Sequence, residues 1–180
     1  MESTVLATER SLAENSRLRK FFIESLQDIY YAEKHLVDAL ETLRDEATTT
    51  NLKNAFNEHR GVTQGHVTRL EQVFAAIGEE PDTKKCAAIK GIISEAESII
   101  RDTENDTITR DAALILAAQK AEHYEIATYG TLVQFARVLG ANEASLLLQQ
   151  TLEEEKQADE TLTGIAESFI NEQSGEEIDE

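Results

Sequence analysis

Four stretches of this chain place apolar side chains at alternating steps of four and three residues, the spacing of one buried helical face. The first seam runs Phe22, Leu26, Ile29, Leu36, Leu40, Leu43, and the second Leu52, Phe56, Thr63, Leu70, Val73, Ile77. The third runs Ile115, Ala118, Tyr129, Leu132, Ala136, Leu139, and the fourth Leu148, Leu152, Leu162, Ala166, Phe169. Ionisable residues interrupt every seam near its middle: Glu33 in the first, His59 and His66 in the second, Glu122 and Glu125 in the third, Glu155 and Asp159 in the fourth. A buried carboxylate needs a partner, and these seams carry almost no basic residue to supply one.

The breaks between seams set the element boundaries. A first long helix is expected over 16–46, ending in the Thr48–Asn51 stretch that also caps a second helix over 51–77. Gly78 closes that helix, and Pro81-Asp82-Thr83 leads into a shorter amphipathic helix over 84–102. After a polar turn at Arg101–Asp106, a third long helix covers 107–139 and stops at Gly140. Asn142 caps the last one, which runs to 171. Two helical hairpins joined by a shorter crossover helix make an all-α, ferritin-like four-helix bundle. The domain reading is a flexible arm over 1–15, the bundle over 16–171 and an acidic tail over 172–180.

The polar interruptions should meet. In an antiparallel hairpin, residues equidistant from the turn lie at equal depth. Glu125 and Glu155 are equidistant from Gly140, and Glu122 and Asp159 nearly so; Glu33 falls level with the segment from His59 to His66. At an effective dielectric near 20, two like charges about 5 Å apart repel by roughly 3 kcal/mol. Each buried carboxylate adds several kcal/mol of desolvation. Five acids sharing one layer therefore require protons, waters or metal cations. The pair Glu122 and Glu125 has the i, i+3 spacing with which dimetal carboxylate bundles present ligands. His66 lies two turns beyond His59, which argues against both ligating one ion. Tyr30 and Tyr129 are expected near the cluster, His35 and His123 off the seams, and Glu153 and Glu154 on a solvated face.

Composition removes several classes of function. With 35 acidic and 17 basic side chains the formal charge is −18, a field that repels nucleic acid and anionic membrane. No apolar run reaches the length of a membrane span, and MESTVLATER lacks a signal peptide's apolar region. The single cysteine, Cys86, excludes an internal disulfide and reads as a small apolar residue. A cytoplasmic protein is expected.

The stretches LQDIYYAEKHLVDAL (26–40), FNEHRGVTQGHVTRLEQVF (56–74), KCAAIKGIISEA (85–96), AAQKAEHYEIATYGTL (117–132) and LEEEKQADETLTGIA (152–166) resemble the YciE/YciF family of ferritin-like proteins. The resemblance covers about residues 18–168, and AQKAEHYEIATYG is its most specific part. It implies a rubrerythrin-like bundle, a homodimer, an association with bacterial stress and a candidate dimetal site. Carried over position by position, the ligand set is Glu33, His59, Glu122, Glu125, Glu155 and Asp159, for one or two iron or manganese ions per chain. One departure bears on that count. The H-x-x-E-T pattern of relatives reads His59-Arg60-Gly61-Val62-Thr63 here, so a carboxylate of the second helix is missing. The site is then lopsided, holds one metal or stays empty, and His66 compensates only if the helix shifts by about a turn.

The leading functional expectation is a ferritin-like metal protein of oxidative or general stress, whose enzymatic form would be a non-haem dimetal oxidoreductase acting on peroxide or dioxygen. No residue identifies an organic substrate or a redox partner. The alternative is a non-enzymatic bundle serving as a structural or interaction module, its metal site lost at Val62.

Overall fold

The structure, a computed structural model, describes residues 16–178, and the predicted arm over 1–15 lies outside them. Five principal helices are present: α1 (Arg17–Glu46), α2 (Thr50–Ala76), α3 (Ala87–Asp102), α4 (Ile108–Val138) and α5 (Asn142–Ile165). A π-helical segment, Ala166–Ile170, extends α5 into a short α6 (Asn171–Ser174). No strand occurs among the described residues.

Local chemistry sets the ends. Ser16, Thr49 and Thr107 cap α1, α2 and α4, their hydroxyl oxygens accepting from the N–H of Arg19, Leu52 and Arg110. Gly78 and Gly140 take left-handed conformations, with φ of 73° and 72°, and close α2 and α4. Two boundaries differ from expectation. Helix α3 begins at Ala87, capped by the Cys86 sulfur, which accepts from Ile89 N–H at 3.4 Å. Helix α5 is capped by the backbone at Ala141 with no side-chain acceptor, and Asn142 is its first helical residue.

Helices α1 and α2 form one antiparallel hairpin and α4 and α5 the other; α2 packs on α5 and α1 on α4. Helix α3 crosses back along the bundle against α4 and, less extensively, α1. This is the ferritin-like four-helix arrangement. The apolar residues divide into two clusters. One is built around Phe22, Leu26, Phe74, Leu132 and Leu148, and the other around Leu43, Leu52, Phe56, Leu114 and Leu162. The polar layer lies between them. Burial of the first-seam residues, Glu33 included, follows the predicted period without a break. The π turn changes the end of the fourth seam. It delays the period by one residue, so Ile170 is fully buried and Phe169 only partly.

A buried polar cluster that the seams did not reveal closes one end of the bundle. The Asp111 carboxylate accepts from Thr48 N–H at 2.6 Å and Thr49 N–H at 2.8 Å, at the start of α2. Arg110 donates to Glu46 and to the carbonyls of Ile100 and Thr103, tying α1 to the α3–α4 turn. Within the predicted acidic tail, Glu177 accepts from Ile108 and Thr109 N–H at 2.7 Å each, at the start of α4.

Candidate metal centre

Each helix delivers its polar residue because the apolar residues above and below it on the same seam are anchored in the two cores. The result is two triads that share one carboxylate. Glu33 of α1, His66 of α2 and Glu155 of α5 form the first; His59 of α2, Glu122 of α4 and Glu155 form the second, with ligand-type atoms in each lying within 4.8 Å of one another. His66 Nδ1 is 2.9 Å from Glu155 Oε1 and 3.5 Å from Glu33 Oε1. His59 Nε2 is 3.3 Å from Glu122 Oε1 and 3.6 Å from Glu155 Oε2. The two imidazoles thus address opposite oxygens of Glu155, with ring centroids 6.4 Å apart. No shift of α2 is needed for His66 to reach the layer. Two turns separate the histidines along the helix, and a single bridging carboxylate spans that distance.

Six atoms of this layer are buried without a hydrogen-bond partner: Glu33 Oε2, Glu122 Oε2, Glu125 Oε1, both oxygens of Glu155, and His66 Nδ1. His66 Nδ1 is close to Glu155 but not aligned for a hydrogen bond. Loss of water dominates the acid–base chemistry. Burial raises the pKa of Glu33 and Glu155 against the opposing pull of His66, and brings Glu122 up to about 7. Glu125 rises well above the carboxylate range, from burial and then from the charges of Glu155, Glu33 and Glu122. Burial pulls His59 down. It also disfavours the His66 cation, but contacts with Glu155 and Glu33 outweigh it and push that pKa up to about 10. Such a set of converging, unsatisfied oxygens and imidazole nitrogens fits a cation.

Outer partners orient the inner groups. The Tyr129 hydroxyl donates to Glu33 Oε1, leaving Oε2 turned to the layer. His66 Nε2 lies 2.9 Å from Glu154 Oε2; a carboxylate only accepts, so Nε2 carries the hydrogen and Nδ1 faces Glu33 and Glu155. Arg69 grips both Glu154 oxygens at 2.7 and 3.1 Å and also donates to Thr151. A carboxylate behind the imidazole, fixing its tautomer, is the usual support of a ligating histidine. Glu154, expected on a solvated face, is partly exposed and at the same time backs His66. The i, i+3 pair His66 and Arg69 on α2 is the signal that could have found this arrangement.

Other expectations fare differently. Glu33, His59, Glu122 and Glu155 come together, and Glu125 adjoins them with its Oε1 unpartnered. Asp159 does not join: one turn farther along α5, it accepts from Gln119 Nε2 at 3.1 Å and lies 3.3 Å from the exposed His123. Tyr30 points away from the layer and donates to Glu71. His35 is exposed and stacks on Tyr31. Val62 sits outside the buried layer, 38% exposed, on the rim of a cleft that reaches His59.

Residues 17–175 match a family model described as a domain of unknown function, DUF892. The chain belongs to this family. The DUF892 chain is 46% identical to protein YciF of Escherichia coli K12 over 154 residues, 83% of this chain and 90% of YciF. It superposes on the crystal structure of the E. coli stress protein YciF with a TM-score of 0.83 and 43% identity, covering 87% of this chain and 98% of that one. YcfI of Rhodopseudomonas palustris matches with a TM-score of 0.79 and 37% identity over 82% and 94% of the two chains. A protein of Xanthomonas campestris pv. campestris, 20% identical with a TM-score of 0.69, shares the fold.

Proposed function

We propose that this DUF892 protein holds a pair of iron or manganese ions in its mid-bundle layer and acts in the cytoplasm, as a homodimer, in defence against oxidative or general stress. The observation that carries the reading is the convergence of Glu33, His59, His66 and Glu122 on Glu155, whose two oxygens are both buried without a hydrogen-bond partner. Glu33, His66 and Glu155 would hold one ion, His59, Glu122 and Glu155 the other, with Glu125 beside both. Mixed imidazole and carboxylate donors suit iron and manganese. Bound metal supplies one-electron redox chemistry toward peroxide or dioxygen. The chain's own residues do the rest. Glu154, held by Arg69, keeps the His66 proton on Nε2; Tyr129 orients Glu33; the two apolar cores exclude bulk water from the layer. The stress role is drawn from the relationship to YciF, which is described as a stress protein. No described helix is long and apolar enough to cross a membrane.

A second reading, a non-enzymatic structural or interaction bundle, is favoured by one observation: His66 lies among Glu33, Glu154 and Glu155, and its cation by itself offsets part of their charge. Elemental analysis of protein purified without chelator or nickel affinity separates the two. Two ions per chain are expected, falling to about one in His66→Gln. No metal after reconstitution with ferrous or manganous ions would leave the structural reading in its place.

A further inference from the structure

A cleft opens between α2 and α5 and ends on His59 and Glu122, with a volume of about 250 Å³. Its walls include Phe56, Val62, Ala158 and Leu162. An apolar cavity of about 150 Å³ is enough to hold benzene, so one six-membered ring with a short substituent fits. The exposed Glu58, Gln157 and Thr161 and the half-buried Glu154 border the mouth, and His59 and Glu122 are the polar groups at the inner end. Glu122 is 2% exposed, and its Oε2 is buried with no hydrogen-bond partner; His59, 13% exposed, sits beside it with Nε2 3.3 Å from the other oxygen. A cleft with apolar inner walls, a polar mouth and one unsatisfied acceptor at its end suits a molecule that is mostly hydrocarbon and brings one donor.

Charge narrows the class further. Glu58 and Glu154 also line the cleft, and the chain carries −18 overall, so a carboxylate or phosphate ligand meets repulsion. A cation gains little at Glu154, whose charge is already engaged by Arg69 and His66, or at Glu58, which is exposed at the mouth and screened by water, and it would be stripped of water against the apolar inner walls.

We propose that the α2–α5 cleft binds a small, uncharged organic molecule carrying one hydroxyl or hydroperoxyl group, its hydrocarbon part between Phe56, Val62, Ala158 and Leu162 and its O–H directed at Glu122. This deepens the functional reading above, resting on it for what the molecule meets at the inner end, and assigns that site an organic ligand in addition to peroxide or dioxygen. Binding itself uses only groups of the chain, so it is testable with metal removed.

The test is a nuclear magnetic resonance titration of chelator-treated protein with benzyl alcohol, benzoate and benzylamine in parallel. Benzyl alcohol should give saturable shifts at His59, Val62 and Ala158 with a Kd on the order of 1 mM, fitting so few heavy atoms. Both charged analogues should bind at least tenfold more weakly. Val62→Trp and Ala158→Trp, each filling the cleft from a partly exposed position, should weaken benzyl alcohol at least tenfold. The proposal is overturned if wild-type protein shows no saturable shifts at the cleft, if either charged analogue binds as tightly, or if folded Trp variants bind unchanged. The charge comparison stands on wild-type protein alone should a variant fail to fold. A metal titration of the same protein separates the two ideas. Metal uptake without alcohol binding removes the cleft proposal only, and alcohol binding without metal uptake removes the dimetal reading only.

Discussion

Two regions of this bundle bury charged side chains, and they solve the problem in opposite ways. At the bundle end, Asp111 meets two backbone N–H groups and Arg110 meets one carboxylate and two carbonyls; Arg110 Nε alone lacks a partner. In the middle, Glu33, Glu122, Glu125 and Glu155 crowd one layer and five of their oxygens have no partner. Burial alone is thus a poor guide to function. Where each charge has found its complement inside the chain, the cluster is part of the scaffold. Where more acceptors converge than the donors among them can satisfy, the complement is expected from outside.

The sharpest way to break this comparison is a matched pair of near-isosteric changes. Asp111→Asn should destabilise by about 3 kcal/mol, because two charge-assisted bonds to the start of α2 are weakened and one N–H faces an NH₂ group. Metal binding should be unchanged. Glu155→Gln should abolish metal uptake at both positions while leaving metal-free stability within about 1 kcal/mol of wild type, since no hydrogen bond is lost. Urea unfolding with metal analysis reads both. Equal destabilisation by the two changes would erase the distinction.

The second effect is on pH dependence. Glu33, Glu122, Glu125 and Glu155 all have folded-state pKa values above the ordinary 4.5, so their contribution is fully present below that value and lost as pH rises through the folded one. For Glu122 that window runs from 4.5 to about 7. His59 acts in the opposite sense, its neutral form favoured in the fold, and weakens stability as pH falls through its range. His66 adds to the loss, its contribution fully present below 6.5 and lost as pH rises from there through about 10. Chelator-treated protein should therefore lose about 2 kcal/mol between pH 5 and pH 8, and metal-loaded protein much less. A flat curve for chelated protein would mean that the carboxylates are not strained by their burial.

The smallest effect concerns the backbone that carries both histidines. Gly61 and Gly65 lie on α2 with nothing within 4 Å of an added Cβ and no positive φ. Gly61→Ala and Gly65→Ala should each stabilise the protein by about 1 kcal/mol with metal content unchanged. A loss of metal would show that mobility of α2, and not only the donor set, is needed at the site.

Much of the candidate site was legible because a carboxylate on an apolar seam betrays its burial: Glu33, Glu122, Glu125 and Glu155 were all found this way. His59 followed from its seam. Asp159 stands outside the two triads, although its charge still helps raise the Glu122 pKa, because a four-residue step moves a side chain one turn along α5 as well as around it, enough to pair it with Gln119. His66 was undervalued because spacing along one helix says nothing of a residue on a facing helix that can bridge both positions. Arg69 and Glu154 lie off the seams, and their burial comes from the α2–α5 contact.

The seam period, the capping hydroxyls and the two left-handed glycines are local properties, and the sequence by itself determined the helices, their order and the depth of the polar layer from them. Which polar atoms face one another was decided only by tertiary structure. Helix rotation and the π turn at Ala166–Ile170 act over an ångström or a single residue, below what a periodic pattern resolves. At the lengths of hydrogen bonds and metal ligation, that difference separates a shared carboxylate at Glu155 from a surface pair at Asp159.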